Sequence, residues 1–115
     1  MKTRTRLALI LGSVLLLAAC ATVDVTKTAK EVFAPTDPNK VDILMTKPDR
    51  GYTEVAAVST TNWEPGETAK MHNALRAKCA PLGADAVLII NSGINPNGKL
   101  WATGVALHYQ AAEAK

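Results

Sequence analysis

The chain is poor in the residues that most often carry chemistry. Its 115 residues include two cysteines, two histidines, two tryptophans, two tyrosines and one phenylalanine. Two cysteines cannot build the multi-bridge framework of a small secreted scaffold. There is no H-x-x-x-H, no C-x-x-C and no paired-carboxylate spacing, so no metal-ligand or acid/base constellation is written into the chain. Glu54, Glu64, Glu67 and Asp85 are scattered. Ser92-Gly93 lacks the G-x-S-x-G elbow of a serine hydrolase. No glycine-rich phosphate loop occurs. No catalytic residue, cofactor site or metal site is therefore assigned, and a non-enzymatic role is expected.

Charge of one sign is also lacking. The formal net charge is +3, with 13 basic and 10 acidic residues. Three of the basic residues, Lys2, Arg4 and Arg6, stand at the start, and without them the two signs balance. A balanced chain with few aromatics excludes nucleic acid as an expected partner. It also has no polybasic patch for anionic lipid.

What is present at the start is a secretory layout. The basic residues are followed by Leu7 to Ala19, uncharged and rich in Leu and Ala, with small residues before a cysteine. The charge-free stretch ends at Asp24, marginal for a spanning helix of roughly 20 apolar residues. Leu17-Ala18-Ala19-Cys20 resembles the bacterial lipobox. That resemblance implies cleavage after Ala19 and a mature first residue, Cys20, bearing an N-acyl group and an S-diacylglycerol thioether. One chain binds a membrane reversibly, and two or more hold it stably. Ala21, rather than Asp, follows the cysteine, which by the same resemblance implies transport to the outer membrane and a periplasm-facing domain. Plain secretion is the alternative, since Ala19-Cys20-Ala21 also fits an A-x-A site.

The sequence divides into a signal peptide (1–19), a lipidated start and flexible tether (20–40), a globular domain (41–110) and a polar tail (111–115). The tether is polar, contains Pro35 and Pro38, and has a short strand candidate at Glu31-Val32-Phe33. Within the domain, Val41 to Met45 and Tyr52 to Thr61 read as strands. Met71, Leu75, Cys79 and Leu82 form one apolar stripe on a helix from Glu67 to Ala80. Pro81 and Gly83 stop that helix. Ala84 to Ile94 is a buried strand, Asn97-Gly98 marks a hairpin, and Leu100 to Tyr109 returns as a strand. On that last strand Trp101, Val105, Leu107 and Tyr109 share one face, read as core, and Ala102, Gly104, Ala106 and His108 the other. The expected fold is α+β: a two-layer ββαββ domain with one helix on an antiparallel or mixed sheet. So small a domain buries about 60% of its unfolded surface, which makes a homo-oligomer an expectation as well.

Tyr52-Thr53-Glu54-Val55-Ala56-Ala57-Val58, the helix, and Leu82-Gly83-Ala84-Asp85-Ala86-Val87 together resemble small bacterial envelope lipoproteins with a YbjQ-like, heavy-metal-binding-type domain. The lipoprotein sensor of the Rcs envelope-stress phosphorelay has a related domain. The resemblance implies the fold and an envelope-sensing or interaction role, with a metal-ion-binding periplasmic module as the alternative. The sensor's domain is stapled among four cysteines, whereas Cys79 alone remains here once Cys20 is lipidated.

Four side chains stand out. Cys79 lies on the apolar stripe at the helix C-terminal end, where the dipole disfavours a thiolate, so a buried thiol is expected. His72 and Cys79 are two turns apart, near 10 Å along the helix, too far to ligate one ion. His108 is expected to be half-exposed. Trp63, beside Pro65-Gly66, is expected in a loop, either contacting an unknown envelope protein or capping the sheet edge.

Overall fold

The β-branched stretches pair into one sheet. The structure is a computed structural model that describes residues 21–111. Among these residues are β1 (Thr22–Lys27), β2 (Asp42–Leu44), β3 (Tyr52–Trp63), α1 (Thr68–Cys79), β4 (Ala86–Ile94) and β5 (Leu100–Tyr109). The strands lie in the order β1-β3-β5-β4-β2. All neighbours run antiparallel except β2 and β4, which are parallel. The fold is α+β, with one helix packed on a mixed sheet.

The helix buries Met71, Leu75 and Cys79, the expected stripe. They meet Ala56 and Val58 of β3, Val87 and Ile89 of β4, and Ala102 and Ala106 of β5, with Leu82 half-buried beside them. The middle strand thus offers alanines to the helix, which lets the two layers approach closely. The bulkier alternate residues go elsewhere. Leu107 is buried with Ala86 and Leu88 in a second cluster, flanked by Leu44, Tyr52, Val105 and Tyr109. Arg50 lies over the Tyr109 ring, 4.0 Å from its centroid. Trp101, expected in the core, is only half-buried.

The tether expected over residues 20–40 is not what its described part forms. Thr22–Lys27 pairs in register with Thr61 back to Ala56, and Val23 and Val25 pack against the core. The cause is the alternation Thr-Val-Asp-Val-Thr, whose two valines point to one face of a strand. The strand candidate at Glu31–Phe33 does not form, and Val32 is 87% exposed. The chain from Thr28 to Val41 instead runs as a strap, with a single 3-10 turn at Pro38–Lys40. The amides of Thr28 and Ala29 donate to the Val55 carbonyl at 2.9 and 3.1 Å. The Thr36 amide donates to the Ala80 carbonyl at 2.9 Å, and its hydroxyl donates to the Ala84 carbonyl. Arg76 Nε donates to the Val41 carbonyl at 2.9 Å. Phe33 packs on the core. Among the described residues the sheet therefore starts at Thr22, and this first strand precedes the expected ββαββ series.

Gly83 is the point where the strap and the helix exit meet. After a 3-10 turn at Ala80–Leu82 it takes φ 84°, the left-handed region. A side chain there would collide with Phe33 Cβ and lie 2.8 Å from the Ala34 carbonyl oxygen. Gly83→Ala should destabilise the fold by about 2 kcal/mol or more through backbone strain and strap displacement. Phe33→Ala should cost about 2 kcal/mol, less than a fully buried phenylalanine. Urea midpoints check both, and a Phe33→Ala midpoint equal to that of the parent would mean the strap is not docked.

Candidate functional site

The Asn97-Gly98 turn brings Ile94 opposite Leu100, and the β3–β5 ladder brings Leu100 opposite Trp63. One row of apolar side chains thus crosses β4, β5 and β3 at the hairpin end of the sheet. Trp63 reaches this row through a bulge. Between Thr60 and Trp63 two residues of β3, Thr61 and Asn62, oppose one of β5, Trp101, with Asn62 at φ 69°. Simple alternation would set Trp63 off the face that Thr60 occupies, and the extra residue returns it. Trp63 is the last residue of β3 rather than part of a loop, and it is half-buried against the core. Its indole Nε1 donates to Thr60 Oγ1 at 2.6 Å. Thr60, a residue 3% exposed, donates its hydroxyl to the Thr22 carbonyl at 2.7 Å. Trp63 is therefore tied through one hydroxyl to the first residue of β1.

Beside this row lies a surface cleft of about 190 Å³, walled by Met45, Met71, Ile94, Leu100 and Trp101, with His72 and Thr68 on its helix side. Ligand pockets usually hold about 300–1,000 Å³, so the cleft is small for a metabolite. Ile94 is 62% exposed and Met45 63%. The Trp101 ring lies across Gly93, where an added Cβ would stand 3.0 Å from its indole nitrogen. The rim is charge-balanced: Lys99 pairs with Glu64, and Lys70 with Glu67 at 3.3 Å. The Glu64 amide donates to Glu67 Oε1 at 2.9 Å, which seats the entry to α1.

The remaining sequence candidates occupy separate places. Cys79 is fully buried, and burial pushes its thiol from an ordinary 9.0 up to about 11. His108 sits at the opposite end of the sheet from the cleft. Its Nδ1 donates to the Gly83 carbonyl at 2.8 Å, with Asp85 Oδ2 at 3.3 Å. Phe33 stacks on the imidazole at 4.0 Å between centroids. Asp85 Oδ2 accepts from the distant Tyr109 amide at 2.8 Å. His108 and Asp85 thus pin the strap and the helix exit to β5, a structural use of both. Among the described residues no three of His, Cys, Asp and Glu converge on one point. Cys20 lies outside the described residues.

The Phe33–His108 staple and the Trp63–Leu100–Ile94 row were missed from sequence. The first joins residues 75 apart with no local signal. The second had one, because the Asn-Gly turn already sets Ile94 against Leu100.

No protein-family model and no curated protein matches the chain. Among solved structures it is similar to the crystal structure of a Francisella virulence factor, FvfA, with a TM-score of 0.56 and 17% identity. The match covers 76% of this chain and 97% of that one. At that identity the likeness shows the fold alone.

With Cys20 replaced by serine, the folded chain should react with a maleimide at least about 100-fold more slowly than the unfolded chain, as burial and a two-unit rise in pKa require. Equal rates would place the Cys79 thiol at the surface. Burial, then the Arg76 charge, holds the His72 imidazole below its usual 6.5. The neutral form is favoured in the fold, so this stability is present above the ordinary histidine value and fades as pH falls below it. The urea midpoint should therefore drop less in His72→Gln than in the parent between about pH 7 and about pH 5. Identical drops would remove His72 from that dependence.

Proposed function

We propose that the chain is a lipid-anchored bacterial lipoprotein of the outer membrane that presents its α+β domain to the periplasm in a non-enzymatic interaction or envelope-sensing role. The observation that carries this reading is Leu17-Ala18-Ala19-Cys20 after a basic, then apolar, start. Ala21 after the cysteine supports the outer membrane as destination. A YbjQ-like domain, as in small envelope lipoproteins, fits the same compartment. The buried, proton-retaining Cys79 supports a non-enzymatic role, since a catalytic thiol needs exposure and a lowered pKa. No helix among the described residues is long and apolar enough to cross a membrane. On this reading attachment falls to acyl chains at Cys20, each buried methylene contributing about 0.8 kcal/mol.

The mechanism is presentation rather than turnover. Lipid fixes the place, and the folded domain offers its surfaces to another envelope component. Protein extracted from membranes should begin at Cys20 and carry the mass of three acyl chains and glycerol. Cys20→Ser should move the protein from the membrane fraction to the soluble periplasm. An unmodified mature mass, or a Cys20→Ser protein that still fractionates with membranes, would overturn the reading.

A further inference from the structure

The end of the sheet that carries the cleft is also the end where β1 begins. Thr22 pairs with Thr61, two residues from Trp63, and its carbonyl takes the hydroxyl that holds the Trp63 indole. Only Ala21 separates Cys20 from Thr22. Two residues of chain span at most about 7 Å. If acyl chains leave Cys20 at the bilayer surface, the hairpin end of the domain cannot stand away from it.

That end has the composition of an interfacial surface. Both tryptophans of the chain are there, each half-buried, Trp63 in the row with Leu100 and Trp101 across Gly93. Indole side chains favour the headgroup level of a bilayer, where one part is apolar and another wet. Ile94 and Met45, two of the four large apolar residues exposed among the described residues, flank them. The nearby charges are mutually paired, Lys99 with Glu64 and Lys70 with Glu67, so the surface presents no net field that would demand anionic lipid.

We infer that the Ile94–Trp101–Trp63–Met45 end of the domain docks into the interfacial layer of the bilayer in which Cys20 is anchored. The inference rests on the lipoprotein reading above. The anchor brings the surface to the membrane, and shallow burial of Ile94 and the indoles then fixes how the domain stands on it. Insertion is hydrophobic and indifferent to lipid charge, so salt leaves it intact.

The chain's own tryptophans report the contact, because there are no others. The protein extracted from membranes, its acylation read by intact mass, is reconstituted into phosphatidylcholine vesicles with or without bromine on the upper acyl chain. Its tryptophan emission should fall by about half in the brominated vesicles, as expected for indoles at the interface. Trp63→Phe and Trp101→Phe, each leaving one indole, should both keep quenching. Ile94→Asp, at an exposed position that leaves the core intact, should recover about half of the lost emission, since an aspartate resists burial. Acylated protein whose emission is the same in both vesicles overturns the docking and leaves the anchored reading standing. An unacylated mass removes both. Quenching that requires anionic lipid, or that vanishes in about 0.5 M salt, makes the contact electrostatic and overturns the inference. Quenching unchanged in Ile94→Asp places the contact on another surface and does the same.

Discussion

One short helix must cover a long sheet, and most features of the molecule follow from the mismatch. The 12 residues of α1 span about 18 Å, whereas the 12 residues of β3 span about 40 Å. Helix and sheet can bury one another only over the middle, where Met71, Leu75 and Cys79 sit on the alanines of β5. Both ends of that sheet face are left short of cover. At the end where the helix stops, the strap fills the gap: Phe33 lies on His108 and against Gly83, and Thr36 satisfies carbonyls at the helix exit. At the end where the helix starts, no segment among the described residues plays that part. The cleft between Met71, Ile94, Leu100 and Trp101 is what remains.

The two ends are closed by different physics. The strap end is polar and specific. His108 Nδ1 faces one carbonyl and one carboxylate, Asp85 takes the Tyr109 amide, and a positive-φ glycine allows the approach. The half-buried polar groups there are matched, so the contact defines one arrangement. The hairpin end is apolar and open. Its polar links, Trp63 to Thr60 to Thr22, are spent inward on tying β3 to β1. What it turns outward is Ile94 and Met45, with two half-buried indoles beside them, and such side chains have no preferred partner geometry and suit a soft, apolar contact better than a carved pocket.

The legible parts of the fold were those with short-range periodicity. The helix stripe at Met71, Leu75 and Cys79 and the Asn-Gly hairpin were both readable, because each depends on residues within a turn or two. Strand β1 was legible in principle, as Val23 and Val25 alternate with Thr22, Asp24 and Thr26. Two valines among threonines and charged residues are a weak pattern, and its burial depends on β3, more than thirty residues later. The faces of β5 were assigned to the right residues, and the face read as core does bury Leu107. It leaves Trp101 half-buried, and close helix–sheet packing falls on the other face, at Ala102 and Ala106. The position of Trp63 was beyond sequence pattern altogether, since it depends on a bulge that a left-handed Asn62 makes.

The start of β1 changes what an anchor at Cys20 would mean. A flexible tether of some twenty residues could reach about 65 Å when extended, and a domain on such a leash samples every orientation. A link of two residues would remove nearly all of that freedom and keep the start of the sheet within about 7 Å of the attachment point. The domain's surfaces are then no longer equivalent. With such an anchor the hairpin end would be held at the bilayer by proximity, and the far end, with the strap, the exposed Val32 and the Arg50–Tyr109 pair, would point away from it. Recognition of another envelope component would then fall to the strap end. There the contacts are polar, defined and held on a staple that joins the strap, the helix exit and the last strand.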